Sequence, residues 1–405
     1  MNMCLRRPGR ADGYHSHPFC CNGSCDYRGG VSPNWVMSCP VARDGSPPRP
    51  LRDARPCYYH EYLALDDILS AQRPRSAQPG RCEAHDETLF IITHQAYELW
   101  FKQIIHDLTS CVHLWQQAPC NFQLLNERLQ RITKIQSVLL MQLPILETMT
   151  PVDFLSFRDY LFPASGFQSV QFKQIETMLG LPASQRLQYN TQTYTSTLRD
   201  EHRQLVEEAQ SKPTCMDCLQ HVLEGIDHQI ASEFQGSFWQ DFMQPAMTLM
   251  QQQNRQHLNS LTGMRSDALR EALRTVDDQD AAFDEINDPA KYEDLVQRGL
   301  RRLSLKAFRA AVIVHQFRHE PRFAPVFTLM TLLMEIDNNL SKWRFHHAAM
   351  VHRFLGLKSG TGGSSGVSYL RATCSRHIVF GDLFATSQYL LPAACLPPLP
   401  DAMRY

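Results

Sequence analysis

Residues 90–103 read Phe90-Ile91-Ile92-Thr93-His94-Gln95-Ala96-Tyr97-Glu98-Leu99-Trp100-Phe101-Lys102-Gln103. Phe90, His94, Tyr97 and Phe101, continued by Ile104 and Leu108, recur every three or four residues, which places them along one face of an α-helix. With Asp86 as N-cap, the helix is predicted from about 86 to 108. Leu89, Ile92, Ala96 and Leu99 form a second apolar side, so burial of much of this helix is expected. His94 lies inside the aromatic face. Two readings are open for it: a core histidine bonded to a neighbouring helix, or an imidazole presented to a ligand.

Two further segments carry comparable information. Thr150-Pro151-Val152-Asp153 supplies an N-cap, a proline at the first helical position and an acid at the third, which predicts a helix start. Phe154 and Arg158 then share a face, with Phe157 and Tyr160 close by. A guanidinium among aromatics suits either an internal carboxylate or the carboxylate of a ligand, and the pattern does not separate the two. A long helix is predicted from about 327 to 355, with Ile336, Leu340, Trp343, His347, Met350 and Phe354 at helical spacing. His347 is the inward member of the His346-His347 pair. His346 aligns with Asn339, Lys342 and Arg353 on what reads as a polar side. A buried imidazole on an apolar face fits a haem-iron ligand, but the pattern alone favours an ordinary core histidine. The helix ends near Gly356, and residues 359–366 carry four glycines in eight positions. Such a backbone approaches a bound molecule closely or acts as a flexible linker. It lacks the Gly-Lys-Ser/Thr ending of a phosphate-binding loop.

The remaining chain reads as helix after helix, without alternating strands, hairpin turns or a nucleotide-binding fingerprint. Breaks are expected at residues 72–84, 163–166 and 180–182, and the periodicity is weakest between 184 and 295. Among 405 residues, 40 Lys plus Arg balance 41 Asp plus Glu, so no net field favours nucleic acid or an anionic membrane. Arg298, Arg301 and Arg302 read as one helix face. No apolar run approaches the roughly 18 residues of a membrane span, and the first 30 residues lack a secretory signal. A soluble cytoplasmic protein is expected. Six of the 13 cysteines lie in the first 57 residues, a Pro- and Gly-rich stretch without helical period that reads as a disordered extension. Cys215 and Cys218 make a lone pair, and reduced thiols are a better reading than a zinc site.

In this order, the segments resemble the tryptophan 2,3-dioxygenase family over residues 58–398, weakly between 184 and 295. The matching stretches are Tyr59-His60-Glu61-Tyr62-Leu63, His85-Asp86-Glu87, residues 90–103, Leu146-Glu147-Thr148-Met149-Thr150, Asp153-Phe154, Phe157-Arg158 and Pro163-Ala164-Ser165-Gly166-Phe167-Gln168-Ser169. They continue through Glu320-Pro321-Arg322-Phe323, Lys342-Trp343-Arg344, Met350-Val351-His352-Arg353 and the loop from Gly360 to Gly366.

That resemblance implies an all-α fold, a multi-helix haem-binding bundle of the tryptophan/indoleamine dioxygenase type, occupying residues 58–405 as one domain. It implies haem b, ferrous in the active state, with O2 as co-substrate and L-tryptophan as substrate, cleaved at indole C2–C3 to N-formyl-L-kynurenine. His347 would be the proximal iron ligand, with Trp343, Ser165 and Gly166 also against the cofactor. His94 would accept a hydrogen bond from the indole N–H, within a substrate-binding stretch formed by Phe90, Ile91, Ile92, Thr93 and His94. Phe90 and Phe154 would pack the indole, Arg158 would clamp the carboxylate and Thr361 the ammonium group. Tyr59 and Tyr62 would reach a neighbouring subunit's pocket in a homotetramer built as a dimer of dimers. Some members carry Tyr where Phe154 stands, which removes one hydroxyl contact here. His60-Glu61 departs from the small-then-polar pair expected at that place. The competing readings are a non-catalytic haem sensor or oxygen carrier, a cofactor-free helical scaffold, and an enzyme of broader indoleamine scope.

Overall fold

The computed structural model describes residues 56–80, 82–186, 194–260, 266–356, 358, 367–396 and 399–400. The extension predicted over residues 1–57 therefore lies almost wholly outside the described residues. The chain divides into two units, Met1–Asp66 and Asp67–Tyr405. In the first, Tyr59–Tyr62 forms one helical turn, and His60 Nε2 meets Asp66 Oδ1 at 3.0 Å.

The second unit is helical, and among its described residues there is no strand. Numbering the helices of eight residues or more, α1 is His85–Trp115, α2 Phe122–Leu146, α3 Pro151–Arg158 and α4 Val170–Leu179. Then come α5 Asp200–Gln210, α6 Cys215–Phe234, α7 Gln244–Ser260, α8 Ser266–Asn287 and α9 Pro289–Gln297. The last are α10 Leu305–Gln316, α11 Ala324–Leu355 and α12 Val367–Arg376. The long helices α1, α2 and α11 form the frame: α11 lies against α2 and α12, and α1 against α2, α4 and α6. Their apolar faces meet in a core that includes Leu108, Cys111, Leu125, Leu129, Leu223, Phe308, Leu329 and Ile336. A separate smaller cluster of Leu143, Leu146, Met149, Phe157 and Met350 joins α2, α3 and α11. Among the described residues no single helix is long and apolar enough to cross a membrane.

Local signals decide several boundaries. Thr150 and Asp153 form a reciprocal capping box at α3, with the Asp153 N–H donating to Thr150 Oγ1 at 3.2 Å and the Thr150 N–H to Asp153 Oδ2 at 3.1 Å. Gly180 ends α4 at φ +110°, where an added Cβ would lie 2.8 Å from Met216 Cβ.

Four expectations are corrected. Asp86 is not the N-cap of α1: Ala84, with extended backbone (φ −74°, ψ 110°), holds that place, and Asp86 already lies within the first helical turn. The second apolar side of α1 is open in this chain: Ile92 is 48% and Leu99 55% exposed. Asn339 is buried beside Gln136 rather than lying on a polar side. Arg301 and Arg302 lie beyond the end of α9, which Gly299 at φ +71° follows, and so form no helix face. Arg302 instead ties distant segments, donating to the carbonyls of Gly180 (2.6 Å) and Val379 (2.9 Å).

Candidate active site

A cavity of about 340 Å3 opens between α1, α3, α4, α11 and α12. Phe90, Thr93 and His94 from α1, Phe154 and Arg158 from α3, and Trp343 and His347 from α11 all line it, as do Ser165 and Gly166. The helical faces inferred from spacing thus converge on one space. Phe90 links the walls: its ring lies 4.1 Å from that of His94, 5.8 Å from Phe154 and 5.5 Å from Phe157.

Ile91 and Ile92 do not line the cavity, because they leave α1 about 100° and 200° around the axis from Phe90. Tyr59 and Tyr62 are exposed in the N-terminal unit, whereas every residue lining the cavity belongs to the second unit. Thr361 lies outside the described residues, as does most of its glycine-rich loop.

His94 and His347 differ in what holds them. His94 Nδ1 lies 2.7 Å from the Phe90 carbonyl, and only a protonated nitrogen donates to a carbonyl. In the neutral ring, Nε2 is therefore the acceptor. The ring is reached by water from the open cavity, while protein atoms crowd its other sides. That loss of hydration lowers its pKa, against the opposing influence of the Phe90 carbonyl and the Glu98 charge. His347 is lowered further, to about 4, first by burial and then by the proximity of His94. Its ring stacks on Trp343, with centroids 4.9 Å apart and planes inclined by 6°. His346 turns elsewhere, with Nε2 3.5 Å from Glu147 Oε1.

Another part of the wall is charged, and the sequence reading missed it. Glu176 of α4 is buried and accepts from Arg344 Nη2 at 2.8 Å, lies 3.3 Å from His377 Nδ1 and accepts from the Tyr194 hydroxyl. Burial alone would raise the Glu176 pKa, but the His377 hydrogen bond and the Arg344 charge outweigh it and hold the carboxyl near about 2. Lys173 donates to the Tyr194 carbonyl at 2.9 Å, and burial pulls its ammonium down to about 8. All five residues line the cavity. No local pattern marks them: Glu176 and Arg344 are 168 residues apart. Charged residues among the buried positions of a helix, Lys173 with Glu176 and Asp337 with Arg344, are the signal that would have pointed to them.

Among the described residues, no group of three or more His, Cys, Asp or Glu side chains is arranged to hold a metal ion by itself. Cys215 and Cys218 are free buried thiols. A neutral, buried imidazole beside aromatic walls is a donor suited to haem, which brings four nitrogen ligands of its own and needs an axial base.

Fold and site together define a helical protein whose cavity combines aromatic rings with the imidazoles of His94 and His347, the Arg158 guanidinium and a charged cluster around Glu176. Comparison with known proteins places it further. Residues 49–390 match the family profile of tryptophan 2,3-dioxygenase. A tryptophan 2,3-dioxygenase from Alteromonas mediterranea is 40% identical over 361 residues, covering 87% of this chain and 97% of the relative. Those of Xenopus laevis (40%; 84% of each chain) and Anopheles gambiae (41%; 85% and 88%) are similar over comparable lengths. The chain belongs to the tryptophan 2,3-dioxygenase family.

Proposed function

We propose that this protein is a haem-dependent dioxygenase that opens the indole ring of L-tryptophan at C2–C3 with O2, giving N-formyl-L-kynurenine. The observation that carries the reading is the convergence of His94, Arg158 and His347, from three helices, on one aromatic cavity. His347, kept neutral by its surroundings, would hold the haem iron, with Trp343, Ser165 and Gly166 lining the same cavity beside the cofactor. Ferrous haem, when bound, supplies the binding and activation of O2.

The chain's own residues select and orient the substrate. An indole N–H is a donor without acceptor capacity, and His94 Nε2 is an acceptor because Nδ1 carries the proton. Phe90 and Phe154 flank the position where the indole packs, and the Arg158 guanidinium takes the carboxylate. Phenylalanine at 154 offers that carboxylate no hydroxyl from this position. We assign the ammonium group to Thr361 on the family resemblance. Holding the amino acid at both ends while confining the ring converts an encounter into a fixed geometry, and aromatic walls exclude water from the reacting face. Neither step needs a nicotinamide or flavin.

The protein works as a cytoplasmic homotetramer in this reading. Support comes from apolar side chains left open on neighbouring helices of one chain, namely Ile92 and Leu99 of α1, Met141 and Ile145 of α2 and Val152 of α3. Tyr59 and Tyr62, exposed here, would complete the pocket of a neighbouring subunit.

The test is a double deletion of charge. Arg158→Ala should lower kcat/KM for tryptophan by about 2–5 kcal/mol, the range for removing one partner of a buried charge pair. Haem content should not change. Tryptamine, which lacks the carboxylate, should be poor with the parent enzyme and lose little more in the variant. Equal losses for both substrates would make Arg158 structural, and haem-loaded protein that produces no N-formylkynurenine from tryptophan and air would leave a sensor or carrier.

A further inference from the structure

The His347 wall of the cavity is held by contacts that the reaction scheme above leaves unused. Trp343 and His347 are four residues apart on α11, and their rings stack nearly parallel. Among the described residues none hydrogen-bonds to the His347 ring. A metal-bound histidine usually has its plane set by a hydrogen bond to its other nitrogen. Here the stacked indole occupies that role, so whatever orients Trp343 orients His347.

Trp343 is held at its Nε1–H, which donates to the Tyr97 hydroxyl of α1 at 3.2 Å. The Tyr97 hydroxyl donates in turn to the Leu139 carbonyl of α2. The polarity of this chain leaves little freedom. Indole nitrogen only donates and a carbonyl only accepts, so the group between them must do both. A phenol does; a phenyl ring does not. Tyr97 is buried, and burial pushes its phenol up to about 12, so the proton stays in place at any working pH. Phe172 of α4, 5.4 Å from the Trp343 ring, supplies packing but no hydrogen bond to the indole.

We propose that Tyr97 is a positioning residue for the iron-ligating imidazole, anchoring the Trp343 indole to α1 and α2 and through it setting the orientation of His347. The inference rests on the haem reading given above. Tyr97 itself lines the cavity, and the role assigned to it here runs through Trp343.

Tyr97→Phe keeps the ring and removes only the hydroxyl. Trp343→Phe breaks the same link from the other side, which covers the case in which one variant folds poorly. In oxygen-free ferrous protein, resonance Raman spectroscopy reads the iron–histidine stretching band. Both single variants should shift or broaden that band, and the double variant should add nothing to Trp343→Phe. A Tyr97→Phe band coincident with the parent's, or effects of the two substitutions that simply add, overturns the proposal. If the parent protein takes up no haem, the proposed function fails, and the link is then read in the apoprotein. The indole N–H resonance of Trp343, assigned by its loss in Trp343→Phe, should move on Tyr97→Phe together with the His347 ring resonances. If they stay in place, the positioning role is wrong irrespective of the cofactor.

Discussion

Two adjacent histidines on α11 have different fates, and the difference is the most direct test of the site at the scale of single residues. His347 faces the cavity with its pKa lowered to about 4, and His346 meets Glu147 at 3.5 Å. His347→Ala should abolish stable haem binding and His346→Ala should leave it largely intact, as read by haem content after purification. The reverse pattern would mean that the inward side of the helix has been misassigned. The pH dependence follows with a definite sign. An unfolded chain protonates this imidazole near its ordinary value of 6.5, whereas the folded apoprotein does so only near 4. Protons are therefore bound preferentially by the unfolded state between those values, and stability from this group falls as the pH drops through that window. Haem ligation should meet competition from protons at His347 only near the lower end. Release of haem in step with a titration near 6.5 would show that this imidazole is solvated.

At the scale of elements, α3 and α4 each carry part of the site on a specific anchor. The α3 capping box satisfies orphan N–H groups at the start of a helix only eight residues long, and that helix presents both Phe154 and Arg158. Thr150→Ala should cost about 1 kcal/mol of stability. The tryptophan KM should rise as the first turn frays, while Thr150→Ser should restore both; an unchanged KM would show that packing alone holds α3. The anchor of α4 is Glu176, which joins it to Arg344 of α11 and to His377 beyond α12. Glu176→Gln leaves the buried Arg344 without its carboxylate, and the loss in a denaturant titration should be about 3–5 kcal/mol. Because the Glu176 pKa is held near about 2 against an ordinary 4.5, its contribution is present above the higher value and lost as pH falls toward the lower. The variant should therefore show a shallower acid transition between those limits. An identical acid transition would place the coupling elsewhere.

At the scale of the whole molecule, the exposed apolar residues on α1, α2 and α3 bear on assembly. Leu99→Glu puts a charge on that surface without approaching the cavity lining, so it should reduce the sedimentation coefficient of a tetramer while keeping the helical spectrum of the parent. A parent chain that sediments as a monomer would remove this explanation for the exposed face. The same surface explains why the sequence overstated the burial of α1. A second apolar stripe signals that something covers it, but periodicity does not distinguish another helix of the chain from another copy of the chain.

What the sequence by itself determined is local and periodic. The apolar stripes of α1 and α11 identified which faces turn inward, hence Phe90, His94, Trp343 and His347. Thr150, Pro151 and Asp153 marked the start of α3 because every group in a capping box lies within four residues. Even local logic failed by two residues at the start of α1, where extended backbone ends at Ala84 and Asp86 already lies in the first turn. Tertiary structure decided everything that depends on which faces meet. Tyr97 and Trp343 are 246 residues apart, and Glu176 and His377 are 201 apart. A tyrosine on an aromatic stripe or a glutamate in a short helix carries no mark of a distant partner. Helical spacing orders side chains around one axis, whereas the packing of several axes chooses the neighbours across the gap, and in this protein those neighbours build the walls of the cavity.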